Sequence, residues 1–129
     1  MKVILAAALT AAFPAAVADA GSYTGNWPMT ISDSQNYNGG HCVALSDDGS
    51  AGWPHSGAAE LDGKLNGRFQ VIGSLLMVTI DDQGAYMNAD SVFSAMANDG
   101  KLGKGAFEEM YDGSALNSGK LVFGARGGC

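Results

Sequence analysis

From Gly21 onward the chain alternates apolar and polar positions with a period of two, in segments of five to ten residues, and no window of helical length carries a convincing 3.6-residue period. In the first segment Trp27, Met29 and Ile31 share one face, which Gly25 and Tyr23 continue backwards, while Thr30 and Ser32 share the other. Val43 and Leu45 mark a second segment, 57–61 a weaker third, and 68–72 a fourth. The run 75–80 is apolar on both faces and is therefore expected to be covered on both. Segments 87–96, 105–111 and 120–123 complete a set of about eight strands, with Phe107 and Tyr111 on one face of the seventh and Glu108 and Met110 on the other. The stretch 88–98 is the ambiguous one, because its alanines and Met96 would also suit a short helix.

Glycine supplies the punctuation. All 19 glycines lie at or after Gly21, and they recur at short intervals. Asp48-Gly49, Asp62-Gly63, Asn66-Gly67, Asp99-Gly100 and Asp112-Gly113 are pairs suited to the positive φ angles of tight hairpin turns, and 72–74 reads as a further turn. Many short antiparallel strands joined by hairpins must close on themselves or split into two sheets to protect their edges. The pattern predicts an all-β fold, a small antiparallel up-and-down barrel of about eight strands, with a two-sheet sandwich as the alternative.

The first twenty residues do not belong to this pattern. Lys2 precedes a run that is apolar from Val3 to Ala18 except for Thr10, and small residues follow, which matches a secretory signal peptide cut after Ala20, with Ala18 as a competing site. The expected organisation is residues 1–20 as signal peptide and 21–129 as a single β-barrel domain, periplasmic or extracellular, with no membrane association after cleavage. Removing the signal takes one lysine and one aspartate and leaves the net charge at −6. The remaining basic residues are scattered singly among carboxylates, a distribution that argues against nucleic acid and against an anionic membrane surface. Two cysteines, Cys42 and Cys129, remain, and in an oxidising compartment they allow one intrachain bridge.

Candidate chemistry is sparse. His41 and His55 are the only histidines. His41 adjoins Cys42, but neighbours on a strand point to opposite faces, so a Cys–His nucleophile pair is not expected. The most distinctive stretch, Gly52-Trp53-Pro54-His55-Ser56-Gly57, describes an ordered loop that offers Trp53 and His55 as ligand-binding residues. A hydrolase built on His55 and Ser56 is the least poor enzyme reading, yet no G-x-S-x-G elbow supports it. Asp47-Asp48 and Asp81-Asp82 read as solvated turns, and the first lacks the ligand spacing of a calcium loop. Glu108 and Glu109 face opposite sides of their strand, and either one, were it inside a closed barrel, would have its pKa raised by desolvation and mark a polar feature of a pocket. No metal motif, haem-attachment motif or phosphate loop is present, and no cofactor is expected.

Gly25-Asn26-Trp27, on the first strand, resembles the G-x-W signature of calycin barrels, the group that includes lipocalins, avidins and small periplasmic inhibitors of bacterial metalloproteases. The resemblance implies that Trp27 closes one end of a barrel and adds it to the binding residues. It also implies a basic partner from the last strand over that ring, for which Lys120 is the candidate. The inhibitors use an extended N-terminal trunk, whereas only residues 21–24 precede Gly25 in the mature chain. The expected function is therefore non-enzymatic binding, of a small apolar ligand at the barrel mouth or of a partner protein through loops. Protease inhibition and the His55/Ser56 hydrolase are the alternatives.

Overall fold

The computed structural model describes residues 20–33, 38–54, 65–81, 89–111 and 114–129. A short 3-10 turn, Ala20–Tyr23, leads into eight strands: β1 (Gly25–Asp33), β2 (Asn38–Leu45), β3 (Ser50–Gly52), β4 (Gly67–Ile72), β5 (Leu75–Asp81), β6 (Ala89–Asn98), β7 (Lys101–Tyr111) and β8 (Ser114–Phe123). Every strand pairs antiparallel with the next, and β8 returns to β1 over Met29–Asp33, so the sheet closes into an up-and-down barrel. Closure leaves the sheet without a free edge strand, as the hairpin pattern requires.

The two-residue alternation maps directly onto inside and outside. Trp27, Met29 and Ile31 of β1, Val43 and Leu45 of β2, Phe69 and Val71 of β4, Leu76, Val78 and Ile80 of β5, and Phe93 of β6 are all buried. The stretch 89–98 is a strand rather than a helix, because its inward phase, Ser91, Phe93 and Ala95, packs against β5 and β7. Opposite Ala95–Ala97 a bulge lies on β7, where the three steps from Leu102 to Gly105 face two on β6. It shifts the inward phase from Leu102 to that of Phe107, while β6 stays in phase through buried Ala97. One expectation fails at β5: the outward side chains Leu75 and Met77 are 42% and 44% exposed, so this strand is covered on its inner face only. The third strand is Ser50–Gly52, and the expected segment 57–61 lies outside the described residues.

The turns explain the shape of one end. At the β6–β7 hairpin Asp99 and Gly100 both take positive φ, 56° and 76°, the type I′ geometry whose twist suits a two-residue hairpin. This turn, the β2–β3 turn at Asp48-Gly49, the β4–β5 turn at Gly73-Ser74, the 3-10 turn and the tail after β8 gather at the end where β1 begins. Asn66-Gly67 is not a turn, since Gly67 opens β4; Asp62-Gly63 and Asp112-Gly113 lie outside the described residues.

The expected bridge is present: Cys42, on the outward phase of β2, is bonded to Cys129, with 5.8 Å between their Cα atoms. No helix among the described residues is long and apolar enough to cross a membrane.

Candidate functional site

The barrel interior has two chemically different halves. At the end where β1 begins, Trp27 is buried and donates its indole N–H to the Tyr23 carbonyl at 2.9 Å, which ties the 3-10 turn across the opening. Arg126, three residues past β8, lays its guanidinium over the Trp27 ring, 4.9 Å from the centroid. The same guanidinium donates to the carbonyls of Ser22, Thr24 and Gly100. Gly25 makes room for this arm: its φ is +140°, and a Cβ there would lie 3.0 Å from Arg126 Cγ. Lys120, the basic residue expected over the indole, is exposed on the outer face of β8. Arg126 escaped the sequence reading because it stands beyond the last strand, in a glycine-rich tail that no periodicity describes.

From this plug an aromatic column rises through the interior. Trp27 meets Phe123 edge-on at 6.2 Å, Phe123 lies 6.3 Å from Phe93, Phe93 stacks on Trp53 at 6.0 Å, and Trp53 lies 6.1 Å from His41. Trp53 follows the short strand β3 and packs on the buried core instead of standing out in a surface loop. His41 shares the inward phase of Val43 and Leu45 and pairs with inward Met29. Solvent still reaches much of its ring, yet burial against its surroundings lowers its pKa below the ordinary imidazole value. Both properties suit a side chain that points into the upper interior of the barrel.

A polar row completes that upper half. Ser91 of β6 is in register with Glu109 of β7, Glu109 with Asn117 of β8, and Asn117 donates from Nδ2 to Asp33 Oδ2 of β1 at 2.8 Å. All four continue inward phases: Asp33 that of Trp27, Met29 and Ile31, Ser91 that of Phe93, Glu109 that of Phe107, and Asn117 that of Leu121. Of the two glutamates, Glu109 is thus the inward one and Glu108 the exposed one. Asp33, Ser91 and Asn117 were not singled out from sequence, although the signal existed: each is a polar residue on the apolar phase of its strand. Among the described residues every buried side-chain nitrogen or oxygen has a hydrogen-bond partner.

The sequence candidates therefore separate. Trp53 and Trp27 occupy opposite parts of one aromatic column, and His55 and Ser56 lie outside the described residues. Asp48 caps its own turn, accepting from the Ser50 N–H at 2.8 Å; hydrogen bonds from Ser50 lead the effects that hold its carboxyl below the usual range. Asp81 ends β5 opposite Asp90 of β6, and the Asp90 carboxyl is raised, first by desolvation and then by the charge and hydrogen bond of Asp81. Among the described residues no three of His, Cys, Asp and Glu converge as a metal site. Comparison with family models, with curated proteins and with solved structures finds no match to this chain.

Proposed function

We propose that the protein is exported and binds a small amphipathic molecule in the upper interior of its barrel, without catalysis. The observation that carries this reading is the division of the interior. One half is filled and plugged by Trp27, Tyr23 and Arg126, while the other presents inward polar side chains, Asp33, Ser91, Glu109 and Asn117, beside the Trp53 and His41 rings. Small-ligand sites combine apolar and aromatic walls with a few placed polar groups, and barrel mouths are a common location for them. Export is supported by the N-terminal signal-like run and by a disulfide of the kind that persists in oxidising compartments. Kinship with calycin barrels is supported by the Gly25–Trp27 start and by the guanidinium over Trp27. The inhibitor alternative has less support, since residues 20–23 are wound into a turn tied to the barrel end rather than extended as a trunk.

Native mass spectrometry of the protein recovered from its own host tests the proposal, together with titration of a neutral fluorescent naphthylamine probe. The expected outcome is a single bound small molecule or 1:1 probe binding with a Kd of roughly 1–10 μM, weakened at least about tenfold in Asn117→Trp, which fills the upper interior. An apo mass alone, with no probe binding at about 100 μM, overturns it.

A further inference from the structure

The outer face of β4–β7 carries a second feature that ligand binding inside the barrel does not use. Register places its outward side chains in straight rows across four strands. Arg68, Thr79, Val92 and Glu108 form one row, and Gln70, Met77, Ser94 and Ala106 the next. Ile72, Leu75 and Met96 form a third across three strands, and Met96 is 65% exposed. The first two rows enclose an open trough of about 580 Å³ whose floor is low because Ser94 and Ala106 are small. Exposed contiguous apolar surface of this kind marks an interaction site more often than scattered single residues do.

We infer that this face is the contact between two copies of the chain, related by a two-fold axis that runs parallel to the strands between β5 and β6. The argument is self-complementarity. That operator exchanges β4 with β7 and β5 with β6 while keeping each row at its own height, as an isologous interface of two aligned sheets requires. Arg68 then faces the partner's Glu108, and Glu108 the partner's Arg68, at the two borders of the trough. Met77 faces the partner's Ser94, so a long side chain enters the low floor on both sides of the axis. Leu75 faces the partner's Met96, apolar against apolar. No other partner is needed to explain why one border of the first row is basic and the other acidic, and why in the second row the long Gln70 and Met77 lie on one side of the axis and the short Ser94 and Ala106 on the other.

Four strands about 4.8 Å apart and three rows about 7 Å apart make a footprint of roughly 400 Å² in plan. That is small against the ~800 Å² per partner of a stable complex, so the dimer is reversible and weak.

Sedimentation velocity on protein exported from the full chain, from about 10 μM to about 1 mM, tests the inference; the wild type is expected to dimerise with a Kd of tens to hundreds of micromolar. Glu108→Arg and Arg68→Glu each abolish association, and the double exchange restores it to within about threefold, because only this operator joins 68 to 108. Ser94→Trp, which fills the trough, also abolishes it. Arg68 reaches the β2–β3 turn through Asp48, so an independent measurement guards against a folding defect. Gln70→Cys and Ala106→Cys proteins, cross-linked by a short bis-maleimide, are expected to join when mixed and not when alone; the native cysteines are already paired. A wild type that stays monomeric at about 1 mM, association that survives Ser94→Trp, or a charge exchange that fails to restore it overturns the inference.

Discussion

One arginine does more for the plugged end of this barrel than its exposure suggests. Arg126 meets an aromatic face and three carbonyls, and the planar fork of a guanidinium suits that combination where an ammonium does not. Two of those carbonyls, of Ser22 and Thr24, belong to the segment that covers Trp27, so the side chain holds the lid as well as the ring. Arg126→Ala is expected to destabilise the fold by about 1–2 kcal/mol, the scale of a cation–π contact with a few hydrogen bonds partly replaced by water. Arg126→Lys should recover only part of it. Thermal unfolding gives the magnitude, and hydrogen exchange localises it, with protection lost first at residues 21–24. An unchanged unfolding midpoint in Arg126→Ala would show that the lid is held by Trp27 and Tyr23 alone. Trp27 itself was legible from the first strand's alternation and the glycine two residues before it. Its cap was not, because a contact 99 positions away leaves no local pattern.

At the scale of the strand, glycine has two uses that look alike in a sequence. Read along the chain, every glycine is turn punctuation, and Gly49, Gly73 and Gly100 fit that reading. Gly105 and Gly119 do not, since they sit within β7 and β8 on the inward phase. A Cβ on Gly105 would fall 2.7 Å from Ala95 Cα and on top of the Ser94 carbonyl, and one on Gly119 would strike the β1 backbone at Ser32 and Asp33. These are places where a tightly coiled barrel brings neighbouring backbones too close for any side chain. Gly105→Ala is accordingly expected to cost about 2–4 kcal/mol, as backbone overpacking does. Gly40→Ala, on β2 where nothing lies within 4 Å of the added methyl, is expected to fall within about 0.5 kcal/mol of wild type. Denaturant titration of the pair separates the two uses, and similar losses at both positions would mean that strand entropy and not close approach decides. The strands themselves were readable because period two is local; Ser50–Gly52 was missed because three residues carry too little period to see.

For the whole molecule, the barrel closes through its most distant pairing, and the disulfide lies beside that seam. β8 meets β1 over only five residue pairs, Met29–Asp33 against Gly119–Phe123. Beyond them the tail runs past β1, with the Gly124 N–H donating to the Pro28 carbonyl at 2.8 Å and the Gly127 N–H to that of Asn26 at 2.7 Å. It ends on β2 at Cys42, so the bond between residues 87 positions apart joins β8's tail to β2 across β1. In the chain-entropy description a closed loop of that length is worth about 4–5 kcal/mol through the unfolded state. The pairing could be read from the count of two cysteines and the oxidising compartment expected from the N-terminal run, whereas its place at the seam depends on where β8 returns, which only the closed topology gives. Since the β1–β8 hydrogen bonds and the Arg126 arm remain without it, the barrel should still form when the bond is absent, only less stably. The Cys42→Ser/Cys129→Ser protein is expected to keep the far-ultraviolet spectrum of a β protein at low temperature and to unfold about 10–20 °C below the wild type. Adding reductant to the wild type should reproduce that shift and leave the double variant unmoved. A midpoint that stays put in both experiments would mean that the seam is held by its pairing alone, and that the disulfide fixes only the tail.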